Sequence, residues 1–139
     1  MNHNIDPSKE QFGHFKDLPR NTPIMMLNLI ELKQTASYKD GTIATGAEAY
    51  TCYGKTSSAI FSSVGGEIIW RGNPESTVIG PSDEHWDIAF IARYPNAEAF
   101  LSMVANPDYQ AIVFHRQAAV KNSRLIRLGE ANDGIGFSS

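Results

Sequence analysis

The sequence predicts an α+β fold: a four-stranded antiparallel sheet with helices on one face. Three observations lead there. Two nearly continuous apolar runs, Ile24 to Leu32 (IMMLNLIEL) and Trp86 to Tyr94 (WDIAFIARY), read as strands buried on both faces. Between them, Gly46 to Val64 carries Ala49, Tyr50, Tyr53, Ser57, Ile60, Phe61 and Val64 at helical intervals, with Gly65-Gly66 as a helix stop. The whole order is strand, long helix, strand, strand, broken helix, strand, which is the split βαβ, ferredoxin-like arrangement. Because strands one and three are apolar on both sides, the sheet face away from the helices needs a cover. A second subunit supplies it, giving a dimeric α+β barrel.

The elements follow in chain order. Asp6 as cap and Pro7 as first helical residue predict a short N-terminal helix with Phe12, Phe15 and Leu18 on its inner side. Pro19 and Pro23 end it. In the first strand Asn28 shares a face with Met26 and Ile30, so its amide needs an inside partner or lines a polar cavity. Lys33 to Thr45 is polar with an Asp40-Gly41 turn, a loop long enough to act as a lid. Glu67 to Trp70 is the second strand, Gly72-Asn73-Pro74 a turn, and Ser76 to Ile79 is expected to resume β structure as a bent strand or hairpin. Trp86 to Tyr94 is the third. Pro95-Asn96 starts a short helix, and Asn106-Pro107-Asp108 restarts a second with Tyr109, Ile112, Val113, Arg116 and Val120 on one stripe. Leu125 to Leu128 is the last strand. The chain thus reads as one domain: residues 1–22 a helical extension, 23–128 the core, and 129–139 a flexible tail.

At 139 residues the chain is long enough to bury a core without metal or disulfides. With 42% hydrophobic and 19% charged residues, a net charge of −3 and no Lys/Arg-rich run, it has no nucleic-acid footprint. Its one cysteine, Cys52, forbids an internal disulfide and suits a reducing, cytoplasmic setting. The N-terminal residues lack the leader and apolar stretch of a signal peptide, and no apolar run approaches membrane-spanning length. The four histidines show no short metal-ligand spacing and no Gly-rich phosphate loop follows a strand, so neither metal nor cofactor is expected.

The run PIMMLNLIELK, the segment GAEAYTCYGKTSSAIFSSVGGEIIWRGNPESTVIGP, the strand WDIAFIARYP and the stretch NPDYQAIVFHRQAAVKNSRLIRL together resemble the domain of unknown function family 1330, of the dimeric α+β barrel superfamily. The resemblance spans about residues 5 to 128. It implies the ferredoxin-like fold and a homodimer, and it places Asn28, Trp70, Tyr109, His115 and Arg116 within family-like motifs. The N-terminal helix and the loop from Lys33 to Thr45 resemble the longer branch of the family. No reaction comes with it.

The chemistry-bearing residues gather around NPDYQAIVFHR, Asn106 to Arg116. One reading is a small-molecule pocket between helices and sheet. There Arg116 pairs an anionic ligand, His115 acts as acid or base near neutrality, Asn28, Tyr53 and Tyr109 orient the ligand, and Trp70 forms an apolar wall. A second is a non-catalytic structural or binding dimer in which Arg116 is ion-paired internally and His115 packs at the interface. A third, by analogy of fold alone, is a monooxygenase-like enzyme using Asn28, Trp70 or Trp86, and His115. Cys52 lies off the inward stripe with no base or cation beside it in sequence, which argues against a catalytic thiol.

Overall fold

The computed structural model describes residues 3–130. Its elements are α1 (Lys9–Asp17), β1 (Ile24–Leu32), α2 (Gly46–Ser63), β2 (Glu67–Gly72), β3 (Ile88–Tyr94), α3 (Ala97–Ala105), α4 (Pro107–Ile112), α5 (Phe114–Ala119) and β4 (Val120–Leu128). The strands form one antiparallel sheet in the order β2-β3-β1-β4, the ferredoxin-like topology, with the two apolar strands β1 and β3 at its centre. The flexible tail assigned to 129–139 falls, beyond residue 130, outside the described residues.

Local chemistry sets the boundaries. Ser8, not Asp6, caps α1 by accepting from the Gln11 backbone N–H. Thr45 and Glu48 close α2 with a reciprocal capping box, each side chain accepting the other's backbone N–H at 3.0 and 2.8 Å. Gly65, with φ of +82°, ends that helix in a conformation costly for any residue with a Cβ. β4 begins at Val120 rather than Leu125, because Val120, Asn122 and Ser123 pair with β1 although their side chains lack an apolar run. β3 begins at Ile88 rather than Trp86: the Asp87 carboxylate accepts the Leu32 N–H at 2.8 Å, closing the end of the β1–β3 ladder with a side chain. The predicted strand over Ser76–Ile79 does not form. Val78 and Ile79 stand 89% and 94% exposed in a connecting loop, with no neighbouring strand to satisfy a ladder.

Register assigns the faces. Ile24, Met26, Ala92 and Tyr94 meet Ala97, Phe100, Met103 and Tyr109 from the helix layer, and a second cluster joins Ile30 to Ala36, Ala49, Ala118, Ala119 and Val120. Ile24, Ile30 and Val120 are sealed almost completely, each worth about 1.5–3 kcal/mol of transfer free energy. The N-terminal helix lies on this layer: Phe15 packs on Phe100 with ring centroids 5.1 Å apart, and Arg127 stacks over Phe15 while donating to the Phe15 and Pro19 carbonyls. On the opposite face, one apolar row runs across all four strands, Trp70–Ile91–Leu27–Ile126, with Met25 and Leu128 beside it. Among the described residues this row stays open to solvent: Trp70 is 57% exposed and Ile126 and Leu128 are exposed as well.

Candidate functional site

Asn106 ends α3 and caps α4, its amide oxygen accepting the Asp108 N–H at 2.8 Å, with Pro107 at the first position where no donor is needed. The sequence predicts one helix from there to Val120, and α4 and α5 run on from one another through Val113 to end at Ala119. The backbone stays helical at that residue, and Val113 N–H to Tyr109 and Gln117 N–H to Val113 carry the bonding across it. Consecutive helical residues point about 100° apart, so His115 and Arg116 leave α5 towards different places.

His115 faces α2 and the loop after β1. Its Nδ1 lies 2.7 Å from the Tyr38 hydroxyl and its Nε2 3.6 Å from Cys52 Sγ, giving a chain phenol–imidazole–thiol drawn from three segments. These groups line a groove of about 300 Å³ with Asp40, Thr42, Ala44, Glu48, Ala49 and Phe114. No strand residue lines it, so it lies outside the helix layer, whereas the sequence reading placed a pocket between helices and sheet. Burial pushes the Tyr38 hydroxyl up from its ordinary value, and the nearby Cys52 and Asp40 charges add to it, so the phenol keeps its proton. Hydrogen bonds from the Thr42 hydroxyl and backbone hold the exposed Asp40 carboxyl low, hence ionised, at the rim. A neighbouring groove of about 450 Å³ shares Tyr38, Asp40 and Phe114 and carries Lys33 and Lys39.

The other predicted site residues do not join His115. Arg116 donates to the Ile5 carbonyl and the Ser123 hydroxyl, fastening the N-terminal segment to β4; among the described residues no carboxylate lies within ion-pair distance of it. Tyr53 and Tyr109 do come together, hydroxyl to hydroxyl at 2.7 Å, joining α2 to α4. Burial, then the Tyr109 neighbour, drives the Tyr53 pKa far up, and the Arg116 charge opposes this in part. Asn28 faces the helices as its position in β1 requires, and its amide donates to the Met26 carbonyl at 3.0 Å. Trp70 stands on the opposite, outer sheet face. Asn28, on the helix-facing side of β1, Trp70, on the outer sheet face, and His115, in the groove, therefore lie at three different places.

Sequence reasoning missed Tyr38 and Cys52 for one reason. Their partner is 77 and 63 positions away, and no local pattern marks it. Among the described residues no cluster of three His, Cys, Asp or Glu side chains is placed to hold a metal, and no helix is long and apolar enough to cross a membrane.

The model of a domain of unknown function, DUF1330, matches residues 42–128. The chain belongs to the DUF1330 family. No curated protein matches it. Among solved structures, the methylated RPA0582 protein is 49% identical with a TM-score of 0.92 over 97% of this chain and all of that one. A second structure of RPA0582, a protein of unknown function from Rhodopseudomonas palustris, is 49% identical with a TM-score of 0.89 over 94% and 99% of the two chains. A dabb family protein with a ferredoxin-like fold from Mesorhizobium loti is 17% identical with a TM-score of 0.53 over 79% and 98%, a likeness of fold alone. The DUF1330 match begins after β1 and Tyr38, whereas the likeness to RPA0582 runs over nearly the whole chain, including the segment that supplies Tyr38 to the groove.

Proposed function

We propose that this protein is a homodimeric small-molecule-binding protein whose ligand sits over His115, with His115 as the proton-transferring group. The observation that carries it is the placement of His115 in the 300 Å³ groove, at the small end of ligand pockets, with both ring nitrogens engaged by groups that can give or take a proton. The lining holds Asp40 and Glu48 and no Lys or Arg, so it favours a neutral or cationic ligand over the anion that Arg116 suggests in sequence. Arg116, Tyr53 and Tyr109 support the site by fixing α2, α4, α5 and the N-terminal segment to one another. The outer sheet row from Trp70 to Ile126 takes a second copy of the chain, a reading supported by its apolar, exposed surface. A free thiol suits a reducing, cytoplasmic location.

The test is a thermal-shift screen of neutral and cationic small molecules. His115→Gln is expected to abolish the stabilisation given by hits in the groove, and hits that stabilise this variant as much as the wild type overturn the reading. One observation favours the alternative of a non-catalytic dimer: the imidazole, the Tyr53–Tyr109 pair and Arg116 all have partners within the chain. That alternative expects no hits and a lower melting temperature for His115→Gln.

A further inference from the structure

We propose that Cys52 is a nucleophile that adds to small, neutral α,β-unsaturated carbonyl compounds, with His115 as its base and Tyr38 as the donor to the carbonyl oxygen. The inference rests on the groove reading above and assigns the groove its substrate class. Three groups in one line make the case. Sγ of Cys52 lies within reach of His115 Nε2, and Nδ1 of the same ring lies 2.7 Å from the Tyr38 oxygen. A nucleophile, its base and a third group orienting the base are the general pattern of an activated side chain. The sequence offered Cys52 no such neighbour, and the fold brings one from α5.

The hydrogen-bond inventory decides what the chain can do. When Nε2 takes the thiol proton, the imidazolium has two donors: Nε2–H faces the thiolate and Nδ1–H must donate to the Tyr38 oxygen. The phenol then acts as acceptor towards the ring, and its own O–H is left to rotate towards the groove that Tyr38 lines. A carbonyl oxygen there receives a hydrogen bond from a phenol kept protonated by its surroundings. Apolar Ala44, Ala49 and Phe114 suit the flat, unsaturated part of such a compound, and the Asp40 and Glu48 carboxylates turn away anionic ones.

The step balances without an oxidant or a leaving group. The Sγ–H proton moves to Nε2, Sγ bonds to the β-carbon, and the C=C π pair shifts so that negative charge gathers on the carbonyl oxygen beside the Tyr38 O–H. The proton on Nε2 then returns to the α-carbon. The net change is addition of S–H across the double bond.

Cys52 is the only cysteine of the chain, so the adduct mass that is lost in Cys52→Ser reports this site. Adduct formation with 2-cyclohexenone is followed against pH, with N-acetylcysteine as reference and iodoacetamide as a second electrophile. Near about pH 6.5, wild-type protein is expected to add the enone at least roughly tenfold faster than N-acetylcysteine, and His115→Gln to lose that advantage. Tyr38→Phe is expected to slow enone addition more than it slows alkylation by iodoacetamide, because both reactions lose the group that orients His115 but displacement of iodide builds no enolate; an equal loss with both electrophiles removes Tyr38 as the carbonyl donor. A wild-type rate no greater than that of N-acetylcysteine, or an undiminished rate in folded His115→Gln, overturns the proposal. Should His115→Gln fail to fold by circular dichroism, the wild-type rate decides: an advantage over N-acetylcysteine that disappears when the protein is unfolded in urea supports it, and an advantage kept by the unfolded chain overturns it. Cys52→Ser separates the two readings. Groove ligands that still stabilise this variant, alongside an unreactive wild-type thiol, retain the binding site and remove the nucleophile.

Discussion

The same substitution at two glycines of α2 is expected to change stability in opposite directions. A Cβ built on Gly46 lies 1.9 Å from the Lys33 carbonyl oxygen and under 3.0 Å from the Lys33 carbonyl carbon and nitrogen. These are backbone atoms, so Gly46→Ala must push the chain where β1 passes into the 33–45 loop. Overpacking of this kind costs about 1–3 kcal/mol, and the helix preference of Ala returns at most about 1 kcal/mol, less at a first-turn position. At Gly54, in the exposed middle of the same helix, a Cβ meets nothing within 4 Å. Gly54→Ala is therefore expected to stabilise by about 0.5–1 kcal/mol through helix preference alone. Urea or thermal unfolding at matched protein concentration measures both, with roughly 4 °C of melting temperature per kcal/mol for a chain of this size. Gly46→Ala as stable as the wild type, or shifts of the same sign, would refute the reasoning. Because the 33–45 loop carries Tyr38, Gly46→Ala is also expected to weaken the Tyr38–His115 contact and the groove with it.

Two further outcomes follow from the sheet and the caps. The backbone and side-chain hydrogen bonds of Thr45 hold the Glu48 carboxyl below its ordinary value of 4.5. A lowered carboxyl contributes stability that is present above that value and is lost as pH falls through the lower folded one, so Glu48→Gln should flatten the acid limb of the stability curve. An acid limb identical to the wild type speaks against the capping box as the cause. Ile91→Asp places a charge in the middle of the outer apolar row, and sedimentation is expected to shift from a dimer to a monomer with unchanged helix content. A variant that remains dimeric removes the sheet face as the subunit contact.

Much of the fold is legible because its signals are local. The double-sided apolar character of IMMLNLIEL and WDIAFIARY marks the central strands, and the helical spacing that starts at Gly46 with the Gly65-Gly66 stop brackets α2 within a residue or two. Two strand assignments failed for a shared reason. Ser76–Ile79 has β-forming residues but no partner strand, while Val120–Ser123 has polar ones and a partner in β1. A ladder is a property of two segments, and propensity describes one.

The site divides the same way. The sequence by itself marks the stretch from Asn106 to Arg116, with its cap, its proline and its two adjacent polar residues. It also establishes that Asn28 faces inward and that Cys52 is the sole thiol. It favoured Arg116 as the ligand-binding residue, since an arginine on an apolar stripe needs a partner. Only the tertiary structure shows that this partner is the chain's own N-terminal segment, and that His115, on the other side of the helix, meets Tyr38 and Cys52 at the groove. The physical reason is geometric. Helical spacing says which way a side chain leaves its own element, but a hydrogen-bonded chain of side chains needs atoms within about 3–4 Å, and that proximity is settled by how distant segments pack.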